Sequence, residues 1–432
     1  MWYDPIVAYY FNVIKEHLGA ASSSVVRLHN RRVLLQLLRH RPYSRAELAA
    51  GSGLSVAAIM NVLAELDADG LVQERAPEKH DDATPRIGRP GAIVSLESRR
   101  CAVLGLHIAA GSIQAGAASL DGRVRASRER AFRAPAPASE ILGVALEMLR
   151  EVIEAEKLDQ ARILGLGVAV PGLVDPLQRV TLNAPRLGWT DVDVAGYFEQ
   201  HLDYPTLVDN NVRAMAVAES RYGSGVGLES LAFVHVRGGV GGGLILNGAP
   251  YRGGTHGAVE VGHLRVRPTG PACGCGGTGC LETLVTDQVV AGLMVESGLI
   301  ERLPDGFDHG WTGILRGAVE SGDERALAIR DQLCADISSA LLALVNLLNP
   351  QMIVLGGLLN DLFPVLIEPL RDILARELMP VLSDPLLVRA ASFGTGAGLA
   401  GAATVALDQY VFGPQLVETA DAPASRHPIT SK

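Results

Sequence analysis

Three cysteines fall within eight residues of this chain, and a histidine precedes the first of them by ten residues. The segment reads Cys273-Gly-Cys275-Gly-Gly-Thr-Gly-Cys280, and the histidine is His263. Three thiolates and one imidazole make a closed tetrahedral zinc site, so the loop is predicted to fold around one zinc ion. With four protein ligands no coordination position stays open, which predicts a structural ion and not a hydrolytic one. The alternative is reduced thiols without a metal.

Two carboxylates lie beside the predicted ligands. Glu260 comes three residues before His263, and Glu282 comes two residues after Cys280. A metal that pins a loop also fixes the groups next to it, so we expect both carboxylates to face one pocket. There they would accept hydrogen bonds from sugar hydroxyls. Two solvated surface acids are the alternative.

Charge is distributed unevenly over a chain whose composition is that of a globular protein. The 432 residues are 48% hydrophobic and 20% charged, and their length predicts two to four domains. The net charge of −9 excludes a polybasic nucleic-acid coat, but residues 25–100 alone carry a net +3. We therefore expect a small anion-seeking module joined to an acidic body.

Nothing in the sequence predicts a membrane or secreted protein. No uninterrupted apolar run reaches the roughly 18 residues of a membrane span. The N-terminus lacks a cationic segment followed by a cleavage site. Five cysteines, three of them in one loop, do not form the even framework of a secreted disulfide protein. We expect a cytoplasmic protein with no membrane partner.

The basic module has the pattern of a winged helix-turn-helix. Ser44-Arg-Ala-Glu47 is a capping box, and the short helix that it starts ends at Gly51-Ser-Gly53. Ser55 then begins a helix with apolar residues at helical spacing, which Gly70 ends. Two short strands, Leu71-Val72 and 93–96, enclose a polar wing. Two helices joined by a tight turn predict DNA binding, and packing or protein contact is the alternative use.

The residues expected to contact DNA lie in the second helix, in the wing and in a run of arginines. Asparagine pairs with adenine, alanine meets the thymine methyl, and arginine contacts phosphates or enters the minor groove. The predicted set is Arg45, Ser55, Ala57, Ala58, Asn61 and Arg89.

From about residue 101 the chain changes to alternating strands and helices. Several apolar strands run directly into glycine-rich turns, with amphipathic helices between them. This pattern predicts an α/β fold of two lobes with a cleft. The predicted strands are Ala102–Ile108, Ile113–Ser119, Ile163–Val170, Thr206–Val208, Leu231–Val236, Met352–Leu355 and Leu387–Ala391.

The motifs together resemble the ROK family of repressors, open reading frames and sugar kinases. The resemblance rests on Glu260-Val-Gly-His263, the cysteine loop and Cys280-Leu-Glu282. Supporting motifs are Val170-Pro-Gly172, Leu182-Asn-Ala-Pro185, Asp209-Asn210 and Val354-Leu-Gly-Gly357. The leading helix-turn-helix resembles the repressor branch, as in xylose-type and N-acetylglucosamine-type repressors.

The resemblance implies an actin-like (RNase H-like) ATPase fold of two lobes, preceded by the winged helix-turn-helix domain. It also implies a sugar site in the cleft and a homodimer or homotetramer. The expected parts are an N-terminal helical extension 1–22, the DNA-binding domain 23–98, a small lobe 99–209 plus 390–412, a large lobe 210–389 with the zinc knuckle, and a polar tail 413–432.

The family's sugar-contacting positions carry over one at a time. They are expected at Gly172, Asn210, Asn211, Glu260, His263 and Glu282. The resemblance implies that His263 uses one ring nitrogen for zinc and directs the other toward the sugar.

Departures from the kinase pattern predict a protein without kinase activity. Where the kinases have the aspartate that acts as general base, this chain has Asn211, which cannot take a proton. Asp209 is expected to point away and not to replace it. The Asp-x-Gly-x-Thr phosphate loop of the kinases is replaced by His107, Ala109 and Gly111.

The second phosphate loop keeps Gly239-Val-Gly-Gly-Gly243 but begins with Arg237. This arginine would fill the lost nucleotide space, bind a sugar phosphate or lie free on the surface, and the sequence leaves these open.

These observations favour a sugar-responsive transcriptional regulator, most directly a repressor of carbohydrate uptake or catabolism genes. Its partners would be operator DNA and a sugar or sugar phosphate effector. Two alternatives stay open: an ATP-dependent sugar kinase that also regulates, and a sugar sensor that does not bind DNA.

Overall fold

The computed structural model of the protein describes residues 23–75, 92–158, 162–254, 259–303 and 310–413. Within them the chain forms two compact units. The first contains 23–97 together with 408–413, and the second contains Ser98–Leu407. The DNA-binding pattern falls in the first unit, and the remaining motifs fall in the second.

Three helices and a small antiparallel sheet with strand order β1-β3-β2 build the first unit. Its elements are α1 (Ser23–His40), β1 (Tyr43–Ser44), α2 (Arg45–Ser52), α3 (Val56–Ala68), β2 (Val72–Arg75) and β3 (Ile93–Leu96).

The helix ends of this unit follow the predicted capping signals. The Ser44 hydroxyl accepts the Glu47 N–H, and the Glu47 carboxylate accepts the Ser44 N–H at 2.7 Å, which confirms the capping box. Gly53 ends α2 in the left-handed region at φ 68°, and Ser55 caps α3. The axes of α2 and α3 differ by 112°, which is the geometry of a helix-turn-helix.

The last turn of the chain that the structure describes packs against α1. The segment Asp408–Phe412 pairs its aspartate with Arg39, whose guanidinium stacks 3.7 Å from the centre of the Phe412 ring. The Gln36 amide donates to the Phe412 carbonyl at 3.0 Å. The first unit is therefore built from residues near the beginning and near the end of the described chain.

Two five-stranded sheets with the same topology form the second unit. In each, three antiparallel strands are followed by two strands that add in parallel on the other side of the first strand. The orders are β11-β7-β4-β5-β6 and β14-β13-β12-β15-β16. This duplicated arrangement agrees with the expected actin-like fold of two lobes.

The elements of the second unit follow one another along the chain. Up to residue 222 they are β4 (Ala102–Ala109), β5 (Ser112–Ala118), β6 (Val124–Ala131), α4 (Ala138–Ala155), β7 (Ile163–Val170), β8 (Leu173–Val174), β9 (Val180–Ala184), β10 (Trp189–Asp193), α5 (Val194–Leu202), β11 (Thr206–Asn210) and α6 (Asn211–Tyr222). From residue 231 they are β12 (Leu231–Val236), β13 (Val240–Leu246), β14 (Ala249–Pro250), α7 (Glu282–Val285), α8 (Asp287–Glu296), α9 (Trp311–Glu320), α10 (Glu324–Leu348), β15 (Met352–Gly357), α11 (Leu358–Asp361), α12 (Phe363–Glu377), α13 (Pro380–Ser383), β16 (Leu387–Ala390) and α14 (Ala397–Leu407). Strands β8, β9 and β10 form a small antiparallel sheet of their own, and α14 packs against the first five-stranded sheet.

Helix α10 is long and apolar enough to cross a membrane by length and composition. Half of its apolar stretch is buried inside the protein, where residues such as Leu341 and Val345 are fully enclosed. A core helix of a globular unit passes the same test of length, and the packing of α10 is that of a core helix.

Glycines in the first sheet let helix α14 lie very close to it. A Cβ on Gly167 in β7 would stand 2.0 Å from the Ala402 carbonyl oxygen, and one on Gly105 in β4 would meet Ala403 at 3.1 Å. No side chain fits between strand and helix at these two positions. The contact depends on backbone proximity, which only glycine permits.

Replacing one of these glycines should destabilise the protein. Gly167→Ala forces a methyl group against the Ala402 carbonyl, and such overpacking costs roughly 1–3 kcal/mol. Gly143→Ala on α4 is the matched control, because its nearest neighbour would be the Tyr197 hydroxyl at 4.0 Å. Helix propensity should make this control neutral or stabilising by about 0.5–1 kcal/mol. Urea unfolding measures both, and equal stability of the two variants would contradict the close-packing argument.

Candidate functional site

The four predicted metal ligands converge in the structure. The ligand atoms of His263, Cys273, Cys275 and Cys280 all lie within 4.8 Å of one another. The Cys273 sulfur is 3.4 Å from His263 Nδ1, and the Cys275 and Cys280 sulfurs are 3.7 Å apart. The cluster can hold one metal ion.

Backbone hydrogen bonds and two left-handed glycines shape the loop that carries the cysteines. The Cys273 N–H donates to the Gly277 carbonyl at 2.8 Å, and the Gly279 N–H donates to the Pro271 carbonyl at 3.1 Å. Gly276 and Gly279 have φ values of 89° and 67°, which side-chain-bearing residues rarely adopt. The glycines between the cysteines thus provide the turns that bring the thiols together.

The thiols of the cluster differ in acidity. Burial raises the pKa of the Cys280 thiol to about 11, and a backbone hydrogen bond from Gly277 lowers the pKa of the Cys275 thiol. A metal binds thiolates, so occupation of the cluster requires the release of these protons.

His263 places its two ring nitrogens in different surroundings. Nδ1 faces the Cys273 sulfur, while Nε2 lies 3.9 Å from the Glu260 carboxylate. The side chain of Glu260 is 55% exposed, so its oxygens are accessible to a ligand. Nδ1 is therefore the ring nitrogen placed at the cysteine cluster, and Nε2 is directed toward Glu260.

Glu282 is anchored on the glycine turn between β12 and β13. It is the first residue of α7, and its carboxylate accepts the Val240 N–H at 3.0 Å. The same oxygen would lie 3.0 Å from a Cβ on Gly239. The turn that corresponds to a kinase phosphate loop therefore touches one of the predicted sugar-binding residues.

Gly172 and Asn210 are joined at the ends of two adjacent parallel strands. The Asn210 amide donates to the Gly172 carbonyl at 2.9 Å, and its side-chain oxygen accepts two N–H groups as the cap of α6. Gly172 has φ 86°, and a Cβ there would lie 2.1 Å from the Asn183 carbonyl oxygen. The Asn210 oxygen is used by the helix, so this residue can offer a ligand its second amide hydrogen.

Asn211 and Asp209 differ in burial and in partners. The half-buried Asn211 accepts the Val212 N–H with its side-chain oxygen. The Asp209 carboxylate is fully buried and bound by Arg213 at 2.6 Å and by Arg252 at 2.9 Å. Burial and two arginine partners make Asp209 inaccessible as a base.

Strand β13 lies between the two groups of predicted sugar-binding residues. Gly241 faces the side chain of Val212, next to Asn211, and Gly242 faces that of Val261, next to Glu260. The asparagines and the Glu260–His263 turn therefore pack against opposite faces of one strand.

Two imidazoles lie near the ends of strands β4 and β12. His107 is buried and lies two residues before the end of β4, and His235 is half-buried in β12 against Gly356. Neither ring nitrogen of His107 makes a well-formed hydrogen bond within the described residues. Burial lowers the pKa of His107 to about 4 and that of His235 to about 3. Both are neutral at pH 7, so neither supplies the carboxylate that holds a metal-bound phosphate.

Arg237 is neutralised inside the second unit. Its guanidinium lies 2.8 Å from the Asp361 carboxylate and 3.7 Å from that of Asp287. Of the three uses that the sequence leaves open, a free surface charge does not agree with this pairing.

The solvent side of α3 carries no charge in its first half, and Glu65 and Asp67 follow in its second half. Ala57 and Asn61 are exposed, Ala58 is half-buried, and the Ser55 hydroxyl is occupied in capping the helix. The sequence analysis overlooked Val56 and Met60, which are 65% and 40% exposed on the same helix. Two apolar side chains one turn apart, on a helix whose opposite face is the core, are the signal that could have revealed them.

Intramolecular ion pairs involve most of the arginines expected to meet phosphates. Arg45 binds Glu74 with two hydrogen bonds of 2.9 and 2.6 Å. The other pairs are Arg27–Glu65, Arg31–Asp69, Arg39–Asp408 and Arg41–Glu47. The pairs of Arg27, Arg41 and Arg45 are exposed and contribute little to stability, so they can exchange a carboxylate for a phosphate. Arg31 and Arg39 are buried in the first unit. Arg89 lies outside the described residues.

Similarity to known proteins identifies the family to which the second unit belongs. The sequence model of the ROK family matches residues 103–409. The chain belongs to the ROK family. Among members of this family, a putative xylose repressor from Caldicellulosiruptor sp. (strain Rt8B.4) is 27% identical over 353 residues, covering 80% of this chain and 86% of the relative.

Two further ROK relatives extend the comparison. The DNA-binding transcriptional repressor Mlc from Escherichia coli (strain K12) is 26% identical, over 84% of this chain and 89% of its own length. A crystal structure of a ROK family transcriptional regulator, a homologue of the E. coli Mlc protein, matches with a TM-score of 0.73 and 24% identity, over 89% of this chain and 97% of that one. The likeness to this structure confirms the fold.

The buried Asp209 carboxylate should be essential for stability. Asp209→Asn leaves Arg213 and Arg252 without their shared counter-charge, and breaking a buried pair in this way costs roughly 3–5 kcal/mol. Asp331→Asn is the control, because that carboxylate is 62% exposed and pairs with its neighbour Arg330. Thermal unfolding should separate the two variants clearly. A melting temperature of Asp209→Asn equal to that of the control would show that the ion pairs of Asp209 contribute no net stability.

Proposed function

We propose that this ROK-family protein is a sugar-responsive transcriptional regulator, most directly a repressor of genes for carbohydrate uptake or catabolism. One observation carries the proposal. A helix-turn-helix with an accessible second helix is joined to a kinase-like unit whose general-base position holds an amide, Asn211. The similarity to proteins named as repressors, over 80% or more of the chain, supports the same function.

Helix α3 is the element that would enter the major groove of operator DNA. Asn61 can pair with the adenine edge, and the exposed carbons of Val56, Ala57 and Met60 can meet thymine methyl groups. Ser55 and Ala58 lie at the start of the same helix. Arg45 and Arg89 would contact the phosphate backbone or the minor groove. A homodimer or homotetramer would present two such helices to half-sites about 34 Å apart.

Truncating Asn61 should weaken binding to the operator. Selection of genomic fragments by the purified protein supplies the operator, and fluorescence anisotropy at fixed salt measures the affinity. Asn61→Ala should cost about 1–3 kcal/mol, because a bidentate contact to a base is lost. The control is Asn346→Ala, at an exposed position on α10. If no fragment is selected, or if Asn61→Ala binds as tightly as the control, the proposed mode of DNA binding is wrong.

The effector domain would bind a sugar without phosphorylating it. Gly172, Asn210, Asn211, Glu260, His263 and Glu282 are the proposed contacts. Carboxylates that stay ionised accept hydroxyl hydrogens, and the free amide hydrogens of the asparagines donate to hydroxyl oxygens. A side-chain amide cannot accept the proton of a sugar hydroxyl. The loss of general-base catalysis lowers the rate of phosphorylation by a factor of typically 10²–10⁴. We therefore propose binding without catalysis, in the cytoplasm, where the operator is located.

Zinc is the metal that the cluster would hold. A tetrahedral zinc ion with bonds of about 2.3 Å to sulfur and about 2.05 Å to nitrogen places its sulfurs about 3.8 Å apart and sulfur about 3.5 Å from nitrogen. The observed separations of 3.7 and 3.4 Å fit these values. Cys₃His is a common structural donor set, and the ion would hold Glu260 and Glu282 relative to each other.

Purified protein should contain one zinc ion per chain by elemental mass spectrometry. Cys275→Ser should lose the ion, melt several degrees lower and bind sugar weakly, since the loop that carries Glu260 and Glu282 is no longer pinned. Cys334→Ala is the control, because that thiol is buried far along the chain in α10 and outside the cluster. Full zinc content in Cys275→Ser would exclude the proposed ligand set.

A further inference from the structure

The thiols of the cysteine cluster differ in their access to solvent. Cys275 is exposed, whereas Cys273 and Cys280 are 8% and 3% exposed. The two other cysteines of the chain, Cys101 and Cys334, are buried and lie outside the cluster. Oxidation of a thiolate requires contact with the oxidant, so an oxidant in solution reaches the sulfur of Cys275 before the others.

A second sulfur lies within reach of Cys275. The Cys275 and Cys280 sulfurs are 3.7 Å apart, so a disulfide bond of about 2.05 Å needs an approach of roughly 1.7 Å. Three of the four residues between these cysteines are glycines, whose backbone adapts to such a movement at little steric cost. A Cβ on Gly277 would stand 3.5 Å from both sulfurs, so glycine at this position keeps a side chain away from the pair.

Cys273 is less suited than Cys280 as the partner of Cys275. Only one residue separates Cys273 from Cys275, and so short a ring strains the geometry of a disulfide. The Cys273 sulfur also lies 3.4 Å from His263 Nδ1, on the histidine side of the cluster. Spacing and position therefore favour Cys280 as the second sulfur.

We propose that Cys275 is a site of oxidation by hydrogen peroxide and that Cys280 completes the reaction by forming a disulfide bond with it. The Cys275 thiolate attacks one peroxide oxygen, which breaks the O–O bond, forms a sulfenic acid and releases hydroxide. The Cys280 thiolate then attacks the sulfenic sulfur and displaces its oxygen as a second hydroxide. The two sulfurs together lose two electrons, and the peroxide gains them.

Oxidation removes two of the four donors of the cluster. Cys273 and His263 alone do not complete the tetrahedral set of a structural zinc ion, so the metal is released. Glu260, beside His263, then loses the fixed position from which it would accept a sugar hydroxyl. This consequence rests on the proposed zinc ligands and on the proposed sugar-binding function. Since the helix-turn-helix belongs to the other unit, oxidation should remove the response to sugar and leave the DNA-binding residues intact.

Titration of the zinc-loaded protein with hydrogen peroxide tests the proposal. A chromophoric chelator records the release of zinc, and peptide mass spectrometry without reduction locates the disulfide. Zinc also accepts carboxylate oxygen, so aspartate can remove a single sulfur and keep the number of ligands. Cys275→Asp removes the exposed sulfur. Cys273→Asp is the matched control, because it retains both sulfurs of the proposed pair.

One equivalent of peroxide should release most of the zinc from wild type and produce a Cys275–Cys280 disulfide. A thiol reductant with added zinc should reverse both changes. Release should be at least about tenfold slower in Cys275→Asp, whose remaining cluster thiols are buried, and about as fast as wild type in Cys273→Asp. Zinc that stays bound in wild type, or a disulfide that includes Cys273, would overturn the proposal. If an aspartate variant folds without zinc, the position of the disulfide in wild type decides.

Binding of sugar distinguishes this inference from the proposed function. Glucose, N-acetylglucosamine and xylose are the probes, and the rise in melting temperature measures their binding. A sugar that stabilises the reduced, zinc-loaded protein should no longer stabilise the oxidised protein. Equal stabilisation of both forms would contradict the expected loss of the sugar response. If none of the three sugars stabilises the reduced protein, the proposed sugar binding is rejected, and the disulfide and the release of zinc still decide whether Cys275 is the site of oxidation.

Discussion

Convergence of one imidazole and three thiols on a single point is the constraint on which the ligand side of the second unit depends. Between Val259 and Leu281 the chain forms only one short 3₁₀ turn, Val261–His263, and two isolated bridges. Irregular backbone hydrogen bonds, such as that from the Leu281 N–H to the Leu264 carbonyl at 2.9 Å, hold this segment in place of a regular ladder. They bring the four potential metal ligands together and leave Glu260 beside His263. Glu282, directly after the segment, is anchored on the glycine turn.

Local chemistry explains which parts of the structure the sequence predicts. The capping box at Ser44, the strand Ile163–Val170 and the apolar face of α3 depend on neighbouring residues, and each is found where it is expected. The segment after Cys280 forms two helices, α7 and α8, which are separated at Thr286. The polar edge strand β6 lacks a strong signal, because its place in the sheet comes from pairing with β5.

The candidate site likewise has features that the sequence predicts and features that only the fold reveals. Residue type and spacing predict the metal ligands. The alternation of side chains along a strand predicts that Asp209 is buried. A sequence does not show which residues that are far apart along the chain pair after folding. Arg252 on Asp209, Asp361 on Arg237 and Glu74 on Arg45 could be seen only after folding. These pairs decide which positive charges are available to a ligand, and they neutralise Arg237 at the glycine turn.

The contribution of Asp408–Phe412 to the first unit has a consequence for biosynthesis. Arg39 contacts a carboxylate and an aromatic ring of the segment Asp408–Phe412. A ribosome makes α1 hundreds of residues before it makes that segment, so the first helix of this unit gains these two contacts only after the whole second unit has been synthesised.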